Sequence, residues 1–487
     1  MKHCSVVWLL SLILTLTLLA GCGSDSTSTP MVAGALSPNN VNLIFVVSPD
    51  LAYSTPGDVQ PDTANLTSQG LQRSLQMASY LKHQVLGERN ASRIYTLQPM
   101  SHLQTANNYP DMAAITYIQQ FAMLNQISLT GAGGYNSPLY TANSFPLNAS
   151  YADPALGEQA LPYQGLEFTT GTSHNNELLL GTLLYFNNPG FYVFSAPWET
   201  INSLMATLKA QYTDLTLPTA YAGSNQVYAI SIKPKTATTA ASASLVTFDS
   251  NLTPPASYPV LPLPVASAAC PGPNTNPALF NITATAGAAT TGINTNQTMY
   301  LIRHAEAHPW SGWDDGNYVA AGQWRALALP NALKGKINPS MVYSIDPAQV
   351  YPGTLTVAGN SNFSYVRPSL TVAPYAIANN LPYYLVSEFG LFDATSPADT
   401  VRYFFFNPAF SGKTILLAWE HAHFPPIIDA LLGKYPNPSS AKAPSWPGAD
   451  YDTIWRVQLD ASGNLTVDNA LCEGIDSASL PVTAPHF

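Results

Sequence analysis

The sequence predicts an α/β protein of two like halves, each a mostly parallel sheet flanked by helices. Apolar runs of strand length alternate with helical stretches, the same order of runs occurs twice, and a proline-rich stretch without periodicity separates the two series. In the first series Leu43-Ile44-Phe45-Val46-Val47 reads as a strand ending at Ser48-Pro49-Asp50, with Leu66–Leu81 as the helix after it. In the second, Met299-Tyr300-Leu301-Ile302 reads as a strand ending in Arg303-His304-Ala305-Glu306, followed by a helix over Val319–Leu333. Both helices carry Gly-x-x-Arg-small-Leu, at Gly70–Leu75 and at Gly322–Leu327.

Later elements keep step. Arg93-Ile94-Tyr95-Thr96 recurs as Met341-Val342-Tyr343-Ser344, and Gln104-Thr105 before a helix recurs as Leu370-Thr371. The strand Phe191–Ser195 leads into a helix ending Leu204–Leu208, as Ile415–Trp419 leads into Ile427–Leu432. Gln226–Ile232 and Thr453–Leu459 close the two halves as strands. The expected organisation is a signal over 1–21, a tether over 22–39, a first domain over 40–252, a Pro-rich linker over 253–295 and a second domain over 296–487.

Composition narrows the function classes. Hydrophobic residues are 46% of the chain, enough for two cores, while charged residues are only 9%, so Ser, Thr, Asn, Gln and Tyr must supply most of the polar surface. A net charge of −10 argues against nucleic acid as a partner and requires local arginines wherever an anion is to bind. Lys2 and His3 precede an apolar run, Val6–Leu19, too short for a comfortable membrane span. Its end, Leu19-Ala20-Gly21-Cys22, resembles a bacterial lipobox. That resemblance implies cleavage before Cys22, lipidation of its thiol, and a protein anchored to the membrane of the bacterial cell envelope. Of the remaining cysteines, Cys270 and Cys472 can pair to join the two halves in an oxidising compartment or stay as separate thiols.

Chemistry concentrates in the second half, where strands give way to loops. Arg303-His304 ends one strand, Glu420-His421 ends another, and Arg367 precedes the helix containing Thr371. Guanidinium forks match phosphate oxygens and stay charged at any relevant pH, and a neutral imidazole nitrogen can attack phosphorus. These segments, Leu301–Glu306, Arg367 with Thr371, and Leu417–His421, resemble in order and spacing the histidine phosphatase superfamily, also called phosphoglycerate mutase-like, across about residues 297–470. The resemblance implies two histidine-phosphatase-like α/β/α domains, a phosphohistidine on His304, and a phosphoryl group held by Arg303, Arg367 and His421. It implies hydrolysis of a small phosphorylated substrate without metal or organic cofactor. Glu388 is the expected general acid, with Asp393 and Glu306 as rivals, and Glu306 and His423 are expected to face substrate.

The first half has none of this set. By the repeat, Val47 and Ser48 stand at Arg303 and His304, Ser101 at Arg367 and Pro197 at His421, so it is expected to keep the fold without catalysis. Two further readings remain. Glu420-His421-Ala422-His423 with His304 and His308 could ligate a metal, at the cost of leaving both arginines without a role. Alternatively the whole chain is an inactive, lipid-anchored binding or scaffolding protein. Trp310, Trp313, Trp324 and Trp455 read as core or pocket wall.

Overall fold

The computed structural model describes residues 36–487 except 54–56, 105–107, 131–138, 151–163, 170–173, 236, 272–277, 310–312, 349, 358–359, 387–395 and 440–441. The expected signal, the tether up to residue 35, Cys22, Glu388 and Asp393 therefore lie outside the described residues. Leu36–Phe487 form one compact unit. Among the described residues no helix is long and apolar enough to cross a membrane.

The first half runs β1 (Val41–Val47), α1 (Ser68–Tyr80), β2 (Arg93–Thr96), a short pair β3 (Leu103–Gln104) and β4 (Tyr109–Pro110), α2 (Ala113–Met123), a second pair β5 (Gln126–Thr130) and β6 (Leu139–Asn143), α3 (Asn175–Phe186), β7 (Gly190–Ala196), α4 (Trp198–Gln211), β8 (Gln226–Lys233) and β9 (Ser242–Asp249). The second runs β10 (Asn281–Ala284), β11 (Gln297–Arg303), α5 (Ala320–Ala332), β12 (Met341–Ile345), the pair β13 (Val350–Val357) and β14 (Asn360–Ser364), α6 (Arg367–Ala378), β15 (Tyr383–Val386), α7 (Ser396–Phe405), β16 (Thr414–Trp419), α8 (Phe424–Leu432), β17 (Thr453–Leu459) and β18 (Leu465–Cys472).

The first sheet is ordered β2-β7-β1-β8-β9, with β2, β7 and β1 parallel and β8 running against its neighbours. In the second sheet β12-β16-β11-β17-β18 follow the same order and directions, and β15 and β10 extend the two edges. Each sheet is covered on both faces, which is why its strands read as continuous apolar runs. Strand alternation divides the covering: Ile44 and Val46 of β1 and Ile302 of β11 enter one core shared by the halves. Val41, Leu43 and Phe45 face a separate core with Leu179, Ile201 and Leu208 of α3 and α4, and Met299 and Leu301 face one with Phe404 and Ile428 of α7 and α8. Helices α1, α2, α5 and α6 supply much of the shared core, through residues such as Leu71, Phe121, Leu327 and Leu370.

The Gly-x-x-Arg motif does the same work twice. Arg73 Nε donates to Asp58 Oδ2 at 2.9 Å, and Arg325 Nε donates to Glu306 Oε1 at 2.8 Å, so each buried guanidinium holds an acid from the loop that follows the central strand β1 or β11 of its half.

Two expectations change. The linker does more than connect: Asn281–Ala284 pairs with β18 as an edge strand, and Tyr258 donates to Leu327 O at 3.0 Å. Cys270 and Cys472 are bonded with Cα atoms 5.2 Å apart, but the bond fastens the linker to the end of β18 rather than joining the two sheets.

Candidate active site

β11 and β16 are parallel with Arg303 opposite Trp419, and His304 N–H donates to Trp419 O at 3.0 Å. This register sets Arg303-His304 and Glu420-His421 side by side on one rim. Arg367 opens α6 at the same rim. Thr371, one helical turn on, accepts from Ala305 N–H at 2.8 Å and donates to Arg367 O at 2.7 Å, fastening the histidine loop to the arginine helix. The spacing of Arg367 and Thr371 thus has a structural purpose.

Arg303, His304, Arg367 and His421 border one cavity of about 740 Å³, with Glu306, Asp314, Glu420, Trp313 and Tyr451 also on its wall. His304 is fully buried, and its Nδ1 lies 2.7 Å from Ala305 O. A carbonyl only accepts, so Nδ1 carries the proton and Nε2 presents its lone pair. Burial pushes the imidazole down to about 4; Glu420 opposes this, while Arg367 and Arg303 add to it.

Glu420 links the two histidines. Its Oε2 lies 2.9 Å from His304 Nε2 and accepts from Tyr365 OH at 2.7 Å, and its Oε1 contacts His421 Nδ1. Burial raises its carboxyl, but the charge and hydrogen bond that His304 supplies when protonated, with the hydrogen bond to His421 and the charge of Arg367, hold it well below the usual carboxylate range. The approach of Oε2 to Nε2 is a hydrogen bond when a proton lies between them and a repulsion when both are bare; burial and the arginines favour the bare, neutral imidazole at neutral pH.

Each arginine is held in place while keeping a donor unspent. Arg367 forks onto Asp314, Nη1 to Oδ1 at 2.7 Å and Nη2 to Oδ2 at 3.0 Å, with its guanidinium 4.5 Å from the Tyr365 ring centre. Arg303 lies 3.9 Å from the ring centre of Tyr451 and donates to Gly448 O at 2.5 Å. The Nε of both is buried without a hydrogen-bond partner. Gly316 has φ +77, and a Cβ there would lie 2.0 Å from Ser364 O; its own carbonyl accepts from Val366 N–H and Arg367 N–H at 3.0 and 3.1 Å. The first half braces the same loops: Ala149 and Ser150 N–H donate to Ser364 Oγ at 2.8 and 2.9 Å, and Gln119 and Asn317 exchange amide hydrogen bonds.

Other expected site residues have different surroundings. Glu306 borders the cavity, but Oε1 is taken by Arg325 and by Ser477 Oγ at 2.8 Å, which makes it a strut of the wall. His423 stacks on Trp419 at 5.0 Å rather than lining the cavity. His308 Nε2 lies 3.0 Å from Asp315 Oδ1. Among the described residues, the histidines at 304, 308, 421 and 423 belong to no group with three donor atoms in metal-binding reach. Sequence reasoning missed Asp314, Tyr365, the bridging role of Glu420, and the Gly448–Tyr451 wall.

At the corresponding rim of the first half, Ser48 N–H donates to Ala196 O at 3.0 Å, as His304 does to Trp419. With Val47 opposite Ala196, this register puts Trp198 rather than Pro197 at the position of His421. Helix α2 opens at Ala113, so the neighbourhood of Asp111, not Ser101, answers to Arg367; Ser101 lies in a 3-10 turn. Asp50, His102 and Asp111 gather there, with His102 Nδ1 3.0 Å from Asp111 Oδ2 and 3.6 Å from Asp50 Oδ2.

No family model matches the chain, and no curated protein matches it. The solved structures it resembles include proteins described as phosphohistidine phosphatases. One, SixA from Agrobacterium tumefaciens, is 15% identical over 34% of this chain and 93% of its own, with a TM-score of 0.20. Another, SixA from Nakamurella multipartitia, is 15% identical over 38% of this chain and 90% of its own, with a TM-score of 0.21. Neither likeness is close enough to transfer an activity.

Proposed function

We propose that the chain is a phosphomonoesterase of the histidine phosphatase type, built as a tandem repeat whose first copy has lost its chemistry, exported and held to the cell envelope by a lipid on Cys22. The observation that carries the activity is the meeting of the guanidinium donors of Arg303 and Arg367 with the imidazoles of His304 and His421 at the wall of one cavity. Such donors match the equatorial oxygens of a transferring phosphoryl group. His304 Nε2 attacks phosphorus and the ester oxygen leaves, taking a proton; water then attacks the phosphohistidine, releasing phosphate and the free imidazole. Glu388 remains the proposed proton donor. Glu388→Gln should lose turnover on alkyl phosphates by about a hundredfold while sparing 4-nitrophenyl phosphate, whose phenolate leaves unprotonated.

The direct test is intact-mass detection of an acid-labile, base-stable phosphoenzyme, mapped to a residue. A phosphate on any residue but His304, or turnover lost to EDTA, defeats the reading. The contact of Glu420 with His304 favours a second one, in which internal carboxylates neutralise the cations and the protein only binds its partner. Absence of turnover on every phosphoester, with phosphate binding retained, would select it.

A further inference from the structure

We propose that this pocket is shaped for monoesters whose leaving group is a flat, uncharged ring, and that Tyr140 of the first half enforces the preference by backing Trp313. The inference rests on the phosphatase reading above and adds its substrate class.

Charge gives the first half of the argument. Among the described residues the arginines on the cavity wall are Arg303 and Arg367, and no lysine lines it. Both guanidiniums are committed to the phosphoryl group. A second anionic group on the substrate would find no cation of its own. The wall carboxylates are also engaged: Glu306 by Arg325, Asp314 by Arg367, and Glu420 by the two histidines. A cationic leaving group would have to break one of those pairs. What remains is a leaving group without charge.

Ring geometry gives the second. Trp313 and Tyr451 both border the cavity, Tyr451 beneath Arg303, and Trp313 next in sequence to the Asp314 that holds Arg367. Tyr140, on β6, stacks on Trp313 with centroids 4.6 Å apart and planes 14° from parallel, and meets His308 edge-on at 5.5 Å. A tryptophan backed in this way holds its plane, and a fixed π-face recognises another flat ring in an offset stack. Tyr140 is a positioning residue, since it acts through Trp313.

The test is calorimetric binding of phenylphosphonate and methylphosphonate, which carry the same anion, cannot be hydrolysed and differ only in the ring. Wild-type protein should bind the phenyl compound about tenfold tighter, roughly the worth of one aromatic stack. Tyr140→Ala should erase most of that ratio while leaving methylphosphonate affinity within about twofold, and Tyr140→Phe, which keeps the ring, should preserve it. Equal affinities in the wild type, or an equal loss for both ligands in Tyr140→Ala, overturns the inference alone. Failure of both ligands to bind wild-type protein overturns the phosphate pocket itself, and the inference with it.

Discussion

The two parallel strand pairs, β1 with β7 and β11 with β16, end in the same backbone hydrogen bond, yet the rims beyond them carry opposite chemistry. Beyond β11 and β16 stand Arg303, His304, Arg367 and His421; beyond β1 and β7 stand Ser48, Asp50, His102, Asp111 and Trp198. One rim sets two guanidiniums and two imidazoles among carboxylates that they pair with, and the other has buried carboxylates around a single imidazole. The backbone supplies a position, and the side chains placed there decide which ligand charge it can meet.

The sharpest way to break this comparison is to alter the two corresponding residues. His304→Ala should lower turnover by about a thousandfold or more, because nucleophile and intermediate vanish together. Ser48→Ala should leave turnover unchanged, and Ser48→His in the His304→Ala background should restore nothing, since the charged groups gathered there among the described residues are Asp50, His102 and Asp111 rather than a guanidinium pair. Steady-state rates on 4-nitrophenyl phosphate, with circular dichroism to confirm folding, decide it. Recovered activity in the double variant would show that the first rim still binds phosphate.

The shared arginines test the opposite expectation, that the halves are alike where they are structural. Arg73→Met strands the buried Asp58, and Arg325→Met strands Glu306 and Glu473. Each should cost about 3–5 kcal/mol, the usual penalty of an orphaned buried charge, read from chemical denaturation. A small loss in one and a large loss in the other would mean that the motif is retained for different reasons in the two halves.

The sequence shows Arg303-His304, Arg367 and Glu420-His421 because they sit where a strand stops or a helix starts, positions that apolar periodicity marks. Asp314, Tyr365 and Gly448–Tyr451 are not marked in this way. Asp314 and the Gly448–Tyr451 wall reach the cavity, and Tyr365 reaches Glu420, from loops whose approach is set by tertiary packing, such as the seat of Gly316 against Ser364. The one-residue difference between Pro197 and Trp198 has a similar origin, because only the hydrogen-bonded ladder fixes register at a strand end. Ser101 lies closer to its strand than Arg367 does to β12, because each half inserts a strand pair of different length, β3–β4 or β13–β14, before the helix, and the unequal spans hide the true counterpart. The edge strand β10 is obscured by the prolines before it.

The smallest expected effect is also the one that separates the rims by pH alone. His304 is pushed down to about 4 from 6.5 by burial, so on acidification the unfolded chain takes up this proton before the folded one does. Glu420, held low, acts in the same sense. The second rim therefore loses stability as pH falls from 6.5 towards 4, and turnover should fall over the lower end of that window as the nucleophile becomes protonated. In the first rim burial opposes the charge on His102, but Asp111 outweighs it and the pKa is raised; burial raises Asp111 as well. There the folded state holds its protons longer, so stability is present at low pH and lost as pH rises through those raised values. Melting temperatures across pH 4.5–8.5 (about the span that histidine titration covers) should show His304→Gln flattening the acid limb and His102→Gln flattening the alkaline one. If both variants flatten the same limb, the two rims are not electrostatic opposites, and the charge contrast between them is one of sequence only.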